Sequence, residues 1–205
     1  MDMNQKRAVK QLMAIKKMAK EIRLAADDWP SEWQTLIATL MSARTTDKVT
    51  IQIATKLFEK YDSVEKLSRA GVSSIAEIVR GVNFYKTKAR NISNLAKILT
   101  SAYNGKVPHD FSKLIELPGV GRKTANVFLA EQGHGRIGID THCLWLSQQM
   151  GWTKHEKQEL VEKDLKKLFP RRLWGDINWI LVRFGQTFPS RTKKREILKE
   201  IKKMR

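Results

Sequence analysis

The chain has 205 residues, of which 41% are apolar, so it is long enough for one domain or two small ones with a proper hydrophobic core. Its 39 lysines and arginines outnumber 21 aspartates and glutamates, and the net charge of +18 indicates a polyanionic partner such as a nucleic acid, with a ribosomal or membrane surface as the alternative. The single cysteine, Cys143, excludes an intramolecular disulfide, a four-cysteine zinc site and a four-cysteine iron–sulfur cluster.

No apolar run approaches the roughly 18 residues that a membrane span needs, and the lysine-rich N-terminus lacks the apolar segment of a secretory signal. We therefore expect an intracellular protein of the cytoplasm or nucleoid, without a membrane partner. A transition metal held by side chains is not expected, because the four histidines are scattered along the chain.

Helical periodicity runs through almost every segment, which predicts an all-α fold. The first helix is expected at about residues 6–24, with one apolar face and lysines elsewhere. Ser31 is the expected N-cap of a second, buried helix whose apolar stripe begins at Trp33. Asp47 is the expected cap of a third helix.

The later elements are shorter helices joined by loops. They are helices at about 63–69 and 73–80, a loop that enters a long helix near Lys88, a helical hairpin, helices at 141–150, 154–168 and 173–184, and a potential basic helix from Arg191.

The hairpin sequence "ELPGVGRKTANVFL" turns sharply and then becomes helical. Pro118 fixes its own φ, and Gly119 and Gly121 tolerate the positive φ that a hairpin between two helices requires. The backbone N–H groups at the start of the second helix attract a phosphate oxygen, and Arg122 and Lys123 lie beside them. An ordinary helix corner with a glycine cap is the alternative, but the charge of the chain favours DNA binding without sequence preference.

Two motifs together resemble a known family. The string "LPGVGRKTAN" followed by "GIDTH" is similar to the helix-hairpin-helix DNA glycosylases, most closely to the endonuclease III branch. Further matches at "LIATLMSARTTD", "FYKTKARNI" and "NWILVRFGQ" extend the resemblance over about residues 30–187. The resemblance implies two helical subdomains that flank a DNA-binding cleft. One is a six-helix subdomain of residues 26–134 that ends in the hairpin, and the other combines residues 1–25 with 135–205.

The resemblance also implies a reaction. Lys123 matches the catalytic lysine of the family and Asp140 its catalytic aspartate, which implies a base-excision DNA glycosylase with AP lyase activity on oxidised pyrimidines. A lysine amine is nucleophilic only when neutral, and a helix N-terminus, a neighbouring Arg122 and a desolvated cleft favour that form. The Asp140 carboxylate can stabilise the cationic sugar as the base departs. The alternatives are an 8-oxoguanine or mismatch-directed glycosylase of the same fold, and a non-catalytic helix-hairpin-helix module.

Further site residues follow from the same match. An enzyme that extrudes a nucleotide must fill the gap it leaves. The plugging loops of the family match "SARTTD" and "NFYKTK", so Arg44 and either Phe84 or Tyr85 are the expected plugs. The backbone carbonyls expected to hold a Na⁺, K⁺ or Mg²⁺ ion at the hairpin are those of Ile115, Leu117 and Val120. The other residues expected to contact DNA are Lys88, Gly119, Gly121, Arg122, Thr141 and His142.

The sequence departs from the family pattern in its cysteines and in one plug. Most endonuclease III relatives carry four cysteines around an iron–sulfur cluster near the C-terminus, whereas the matching region here, "FGQTFPSRTKKREILKEIKKMR", has none. We therefore expect no cluster and no other cofactor, and in its place a basic helical tail that packs through Ile197, Leu198 and Ile201 and contacts DNA through its lysines. Arg44 stands where glutamine is usual, so a guanidinium would donate to the unpaired base. Damaged double-stranded DNA is the expected partner of a monomer.

Overall fold

The computed structural model describes residues 3–204, within which the regular elements are twelve α-helices and two short 3-10 turns, with no strand. This confirms the all-α expectation. None of the helices in that range has the length and apolar character that crossing a membrane requires. The helices are α1 (Met3–Met18), α2 (Glu32–Met41), α3 (Asp47–Lys60), α4 (Val64–Ser68), α5 (Val72–Ile78), α6 (Tyr85–Tyr103), α7 (Phe111–Glu116), α8 (Arg122–Glu131), α9 (Thr141–Met150), α10 (Gln158–Leu168), α11 (Trp174–Thr187) and α12 (Arg191–Lys203).

The described chain divides into two compact helical units. The continuous unit runs from Arg23 to Phe128, and the split unit combines the residues up to Ile22 with those from Leu129 onward. The sequence places the second boundary at 134/135, behind α8, whereas the division falls at 128/129, within α8. The last turn of α8 belongs to the split unit because the carbonyl of Ala130 lies against α11, 3.7 Å from where a Cβ of Gly175 would be.

The continuous unit is built around α2. The sequence of α2, "EWQTLIATLM", is mostly apolar, and all its residues from Trp33 to Met41 are buried, as the predicted stripe requires. The long helix α6 packs against α4 and α5. The small and branched apolar side chains that α6 buries are Ala89, Ile92, Leu95, Ala96 and Leu99.

The two predicted helix caps of the continuous unit work differently from the expectation. Ser31 occupies the N-cap position of α2, but its hydroxyl donates to Oε1 of Gln34 at 2.8 Å and makes no cap bond to a backbone N–H. Asp47 is the first residue of α3, after an N-cap at Thr46. The Asp47 Oδ1 accepts from the backbone N–H of Ala25 at 2.9 Å, so this carboxylate joins α3 to a segment 22 residues earlier.

The split unit is built from α1 and from helices α9 to α12 around a second hydrophobic core. Trp152 packs edge-on against Phe169 in this core, with 5.0 Å between the ring centroids. Leu198 and Ile201 of α12 are part of the same core, and Ile197 packs beside them. The basic tail is therefore a helix that packs through the three apolar residues predicted from the sequence.

Candidate functional site

The hairpin joins α7 to α8 through a five-residue turn. The backbone N–H of Val120 donates to the carbonyl of Leu117 at 3.0 Å, which closes the turn, and Gly119 has a φ of +77°. A Cβ on Gly119 would lie 2.7 Å from Asn91 Nδ2 and 2.9 Å from Leu40 Cδ1. Both the backbone conformation and the close approach of these side chains therefore require glycine at this position.

Gly121 differs from Gly119 in both respects. Its φ is not positive, and no atom beyond its chain neighbours lies within 4 Å of the position that a Cβ would take. The expectation that Gly121 supplies a positive φ is therefore wrong, and its effect is to leave the surface before α8 open. Its carbonyl accepts from the N–H of Ala125 at 2.9 Å, which begins α8. The N–H groups of a first helical turn carry partial positive charge and attract anions.

Arg122 and Lys123 occupy the first turn of α8, and both are half-buried. The guanidinium of Arg122 lies 5.1 Å from the ring centroid of Phe111 in α7, so a cation–π contact holds it across the hairpin. Lys123 therefore lies at the anion-attracting end of α8, where the sequence predicts it.

Asp140 is the N-cap of α9. Its backbone is extended, and its Oδ1 accepts from the N–H of Cys143 at 2.7 Å. The segment before the cap is also fixed, because Asn178 of α11 donates from Nδ2 to the carbonyl of Gly138 at 2.7 Å. Burial raises the pKa of the Cys143 thiol well above its ordinary value, and the neighbouring Asp140 charge raises it further. Cys143 is thus a neutral packing residue, and Asp140 is a carboxylate held in one orientation.

The other two residues of the "DTH" motif differ in exposure. Thr141 is exposed at the first position of α9, whereas His142 is half-buried. A Cβ on Gly185 of α11 would overlap the imidazole of His142, so that ring packs directly on the α11 backbone. His142 therefore fixes α9 on α11, while Thr141 is accessible to a ligand.

Arg44 and Phe84 lie in two loops of the continuous unit, at residues 42–46 and 82–84. Both have a positive φ, 56° for Arg44 and 59° for Phe84, which is uncommon for residues of these types. Phe84 is 62% exposed, and the guanidinium of Arg44 lies 5.7 Å from the centroid of its ring. Tyr85 is half-buried as the first residue of α6. Of the two aromatic plug candidates, Phe84 is therefore the one presented to solvent.

Lys88, which the sequence assigns to DNA contact, is instead buried, with 5% of its surface exposed. Its ammonium group donates to the carbonyl of Met41 at 2.6 Å, to the carbonyl of Ala43 at 2.7 Å and to Thr45 Oγ1 at 3.2 Å. Burial lowers the pKa of Lys88 from 10.5 to about 8. The side chain is directed inward because these three acceptors satisfy it there, so it stabilises the loop that carries Arg44.

Asn83 is a site residue that the sequence does not reveal. Its side-chain amide donates to the carbonyl of Arg44, and its backbone N–H donates to Thr45 Oγ1 at 3.1 Å. An exposed asparagine in a loop is ordinary, so its type carries no signal. Its position directly before Phe84, in the segment that matches a plugging loop, is the signal that could have identified it.

The sequence leads us to expect a cation on three backbone carbonyls of the hairpin. Of the three residues expected to supply them, Ile115 is 45% exposed, and the side chains of Leu117 and Val120 are buried. The Leu117 carbonyl already accepts from the N–H of Val120, but a carbonyl oxygen has a second lone pair. Within residues 3–204, no three histidine, cysteine, aspartate or glutamate side chains form a metal-binding group.

The predicted site residues belong to both units. Arg44, Phe84, Lys88 and Lys123 are in the continuous unit, and Asp140 is in the split unit. In each unit the structure brings predicted residues together locally: Arg44 with Phe84 in one, and Asp140 with the motif residues that follow it in the other.

Known proteins resemble this chain over most of its length. Residues 37–171 match the sequence model of the family described as "HhH-GPD superfamily base excision DNA repair protein". The chain is similar to endonuclease III of Thermotoga maritima, at 38% identity over 155 residues, which are 75% of this chain and 73% of the relative. It is also similar to endonuclease III of Rickettsia felis, at 39% identity over 157 residues, again 75% of this chain and 73% of the relative. A solved structure of a trapped endonuclease III–DNA covalent intermediate, an estranged-adenine complex, is similar with a TM-score of 0.81 and 31% identity, covering 91% of this chain and 88% of the other.

Proposed function

This chain belongs to the HhH-GPD superfamily of base excision DNA repair proteins, in its endonuclease III-like branch, and we propose that it is a bifunctional DNA glycosylase and AP lyase. Its substrates are oxidised pyrimidines in damaged double-stranded DNA. The observation that carries the proposal is the presence of both a lysine in the first turn of the hairpin helix, Lys123, and a fixed carboxylate at the start of α9, Asp140. A protein that only binds DNA needs neither a nucleophile nor this charge.

Lys123 is the nucleophile. Its neutral amine attacks C1′ of the damaged nucleotide, the bond from C1′ to the base breaks, and the base departs with the bonding electrons and takes up a proton. Opening of the sugar ring converts the adduct to a Schiff base between C1′ and the lysine nitrogen. The iminium acidifies the 2′ proton, and loss of that proton breaks the bond from C3′ to the phosphate oxygen by β-elimination.

Asp140 stabilises the charge that develops in this reaction. One of its oxygens accepts from the N–H of Cys143, so the side chain does not have to be ordered when the substrate binds. Its negative charge favours the cationic sugar during departure of the base and assists in moving the lysine proton.

The hairpin binds the phosphate backbone of the DNA. The open surface at Gly121 lets a phosphate approach the first N–H groups of α8, and Arg122 adds positive charge beside them. The backbone carbonyls of Ile115, Leu117 and Val120 would hold a Na⁺, K⁺ or Mg²⁺ ion, which would add positive charge for a DNA phosphate at the hairpin. Thr141 contacts the DNA from the start of α9. These contacts carry no base information, so the damaged nucleotide is selected by extrusion and by the pocket that receives it.

The residues present do not fit an iron–sulfur cluster. The chain has one cysteine, which is buried in α9, and a cluster of this kind needs four. In the corresponding segment α12 packs on the core of the split unit, and Lys202 also donates to the carbonyl of Gln149 at 3.0 Å. We propose that the protein works as a monomer at the nucleoid, without an iron–sulfur cluster and without an organic cofactor. Exposed lysines of α12 add to its attraction for DNA.

The test is a panel of duplexes that carry thymine glycol, dihydrouracil, uracil, 8-oxoguanine, hypoxanthine or an abasic site, scored for strand cleavage with and without alkali.

Borohydride added during the reaction should trap a covalent protein–DNA adduct on Lys123. Lys123→Gln should abolish trapping and leave duplex binding largely intact. Lys113→Gln is the matched control, because it removes the same charge from an exposed position of the same hairpin. Trapping by Lys123→Gln at the wild-type level would refute the role of Lys123, and preferential cleavage at 8-oxoguanine would replace the proposed substrate.

A further inference from the structure

Two exposed residues that fill no core position are held in an unusual backbone conformation. Arg44 and Phe84 have φ values of 56° and 59°, in the left-handed region that arginine and phenylalanine rarely adopt. They come from loops about 40 residues apart in sequence, yet the Arg44 guanidinium lies over the Phe84 ring at 5.7 Å from its centroid. Surrounding contacts must therefore maintain both loops in this arrangement.

Lys88, which is buried in the continuous unit, supplies the first of these contacts. The three N–H groups of its ammonium match three acceptors at the end of α2 and in the Arg44 loop: the carbonyls of Met41 and Ala43 and the hydroxyl of Thr45, at 2.6, 2.7 and 3.2 Å. Ala43 and Thr45 lie directly on either side of the exposed Arg44, so these bonds set the path of the backbone that carries Arg44.

Asn83 supplies the second contact and joins the two loops directly. Its amide donates to the carbonyl of Arg44, and its backbone N–H donates to Thr45 Oγ1 at 3.1 Å. The Thr45 hydroxyl thus accepts from both Asn83 and Lys88. Lys88 is itself tied to the second loop, because its backbone N–H donates to the carbonyl of Phe84 at 3.0 Å.

We infer that Lys88 and Asn83 are positioning residues that hold Arg44 and Phe84 as one preassembled plug for the gap left by an extruded nucleotide. This inference rests on the proposed function. Lys88 is 5% exposed and acts through the loops, without contact with DNA. A plug that is already ordered loses little conformational freedom on entering the duplex, so more of the contact energy remains for extrusion. At neutral pH a lysine with a pKa of about 8 is mostly protonated and keeps all three donors.

The primary test compares Lys88→Met with Lys97→Met, which removes the same charge from an exposed position of α6. Lys88→Met should slow base release from a damaged duplex by about tenfold, which corresponds to about 1.4 kcal/mol and is close to the lower limit for one hydrogen bond made by a charged group. Release from a damaged single strand, which has no gap to fill, should change less than about twofold on the same basis. Lys97→Met should match the wild type on both substrates, and Lys88→Arg should recover part of the loss.

A double-mutant cycle tests whether Lys88 acts through the plug. If it does, Lys88→Met should cause little further loss on duplex DNA when Arg44→Ala and Phe84→Ala are already present. A full additional tenfold loss in that background would overturn the inference, as would wild-type duplex activity in Lys88→Met. Asn83→Ala serves as a second variant that cannot unfold the protein by burying an unpaired group, because Asn83 is exposed. It should show the same duplex-selective loss, and an equal loss on single strands would also count against the inference.

A readout independent of activity separates this inference from the proposed function. Hydrogen exchange of the free protein should be faster at residues 43–46 and 83–84 in Lys88→Met and Asn83→Ala than in the wild type and in Lys97→Met. Unchanged exchange would refute the positioning role even if the enzyme is active. Faster exchange in a protein that cleaves none of the damaged duplexes would refute the proposed function and leave the coupling of the two loops established.

Discussion

Substitution of Asp140 should separate its role as a helix cap from its proposed role as a catalytic charge. Its Oδ1 accepts from the N–H of Cys143 at 2.7 Å. Asp140→Ala removes this cap bond, which contributes about 1 kcal/mol, and the favourable charge at the helix start, which contributes roughly 0.5 kcal/mol. The expected loss of about 1.5 kcal/mol lowers the melting temperature of a protein of this size by about 3–6 °C. Asp140→Asn keeps an oxygen that can cap α9, so its melting temperature should fall by only about 1–2 °C.

Both variants should lose base release to a similar extent, because both lack the negative charge. Removal of one preorganised electrostatic contact from an active site lowers rates by about 100-fold to 1,000-fold. Single-turnover release of thymine glycol measures this step, and strand cleavage at a preformed abasic site measures the lyase step, which should be affected less because the base is already gone. Circular dichroism melting gives the stability of each variant.

Two results would contradict this reasoning. Wild-type base release by Asp140→Asn would show that the charge is not catalytic. A melting temperature of Asp140→Asn as low as that of Asp140→Ala would show that the cap bond does not contribute the stability assigned to it.

Three further predictions follow from the hairpin, Lys88 and the cysteine content. Gly119→Ala should destabilise the protein by roughly 2 kcal/mol, because the φ of Gly119 is positive and a Cβ there would meet Asn91. Gly121→Ala should change the stability by no more than about 0.5 kcal/mol but weaken DNA binding. Urea unfolding measures the stability of each variant and DNA titration its affinity, and equal stabilities of the two variants would contradict this prediction. Folding lowers the pKa of Lys88 from 10.5 to about 8, so between these pH values the unfolded state binds more protons than the folded state. The free energy of unfolding of the wild type relative to Lys88→Met should therefore rise by up to about 3 kcal/mol from pH 8 to pH 10.5. Urea unfolding measures this difference, and a difference that does not change with pH would refute the prediction. The purified protein should be colourless, and stoichiometric iron with an iron–sulfur absorption band would refute the proposed absence of a cluster.

The sequence predicts the elements whose determinants are close together in the chain. The apolar stripe of α2 identified a buried helix, and the turn residues "PGVG" identified the hairpin. Pairing of the hairpin lysine with the aspartate of "DTH" was enough to find the family, since the combination is highly specific although non-enzymatic DNA-binding modules share the hairpin. The packing of α12 followed from three apolar residues at helical spacing.

The features that the sequence could not supply depend on contacts between distant segments. A lysine in an amphipathic helix is normally exposed, and Lys88 is buried only because carbonyls 47 and 45 residues earlier accept from it. The first helix ends at Met18, earlier than the predicted 24, and soon afterwards Lys20 donates from its backbone to the hydroxyl of Thr187 at 2.9 Å. The residues around Gly121 in the sequence do not indicate whether glycine is needed there for a positive φ or to leave the surface before α8 open.

The composition of the split unit has a consequence for the order in which the protein folds during synthesis. The partners of α1 come late: in the core Gln11 accepts from the indole of Trp152, and on the surface Arg7 donates to the carbonyl of Lys202, 195 residues away. The continuous unit is made in one stretch and can fold as it leaves the ribosome, whereas α1 has to wait with its apolar face uncovered until the last helices are translated. This interval is when the nascent chain is most exposed to aggregation, and a slow ribosome near the end of the message would lengthen it.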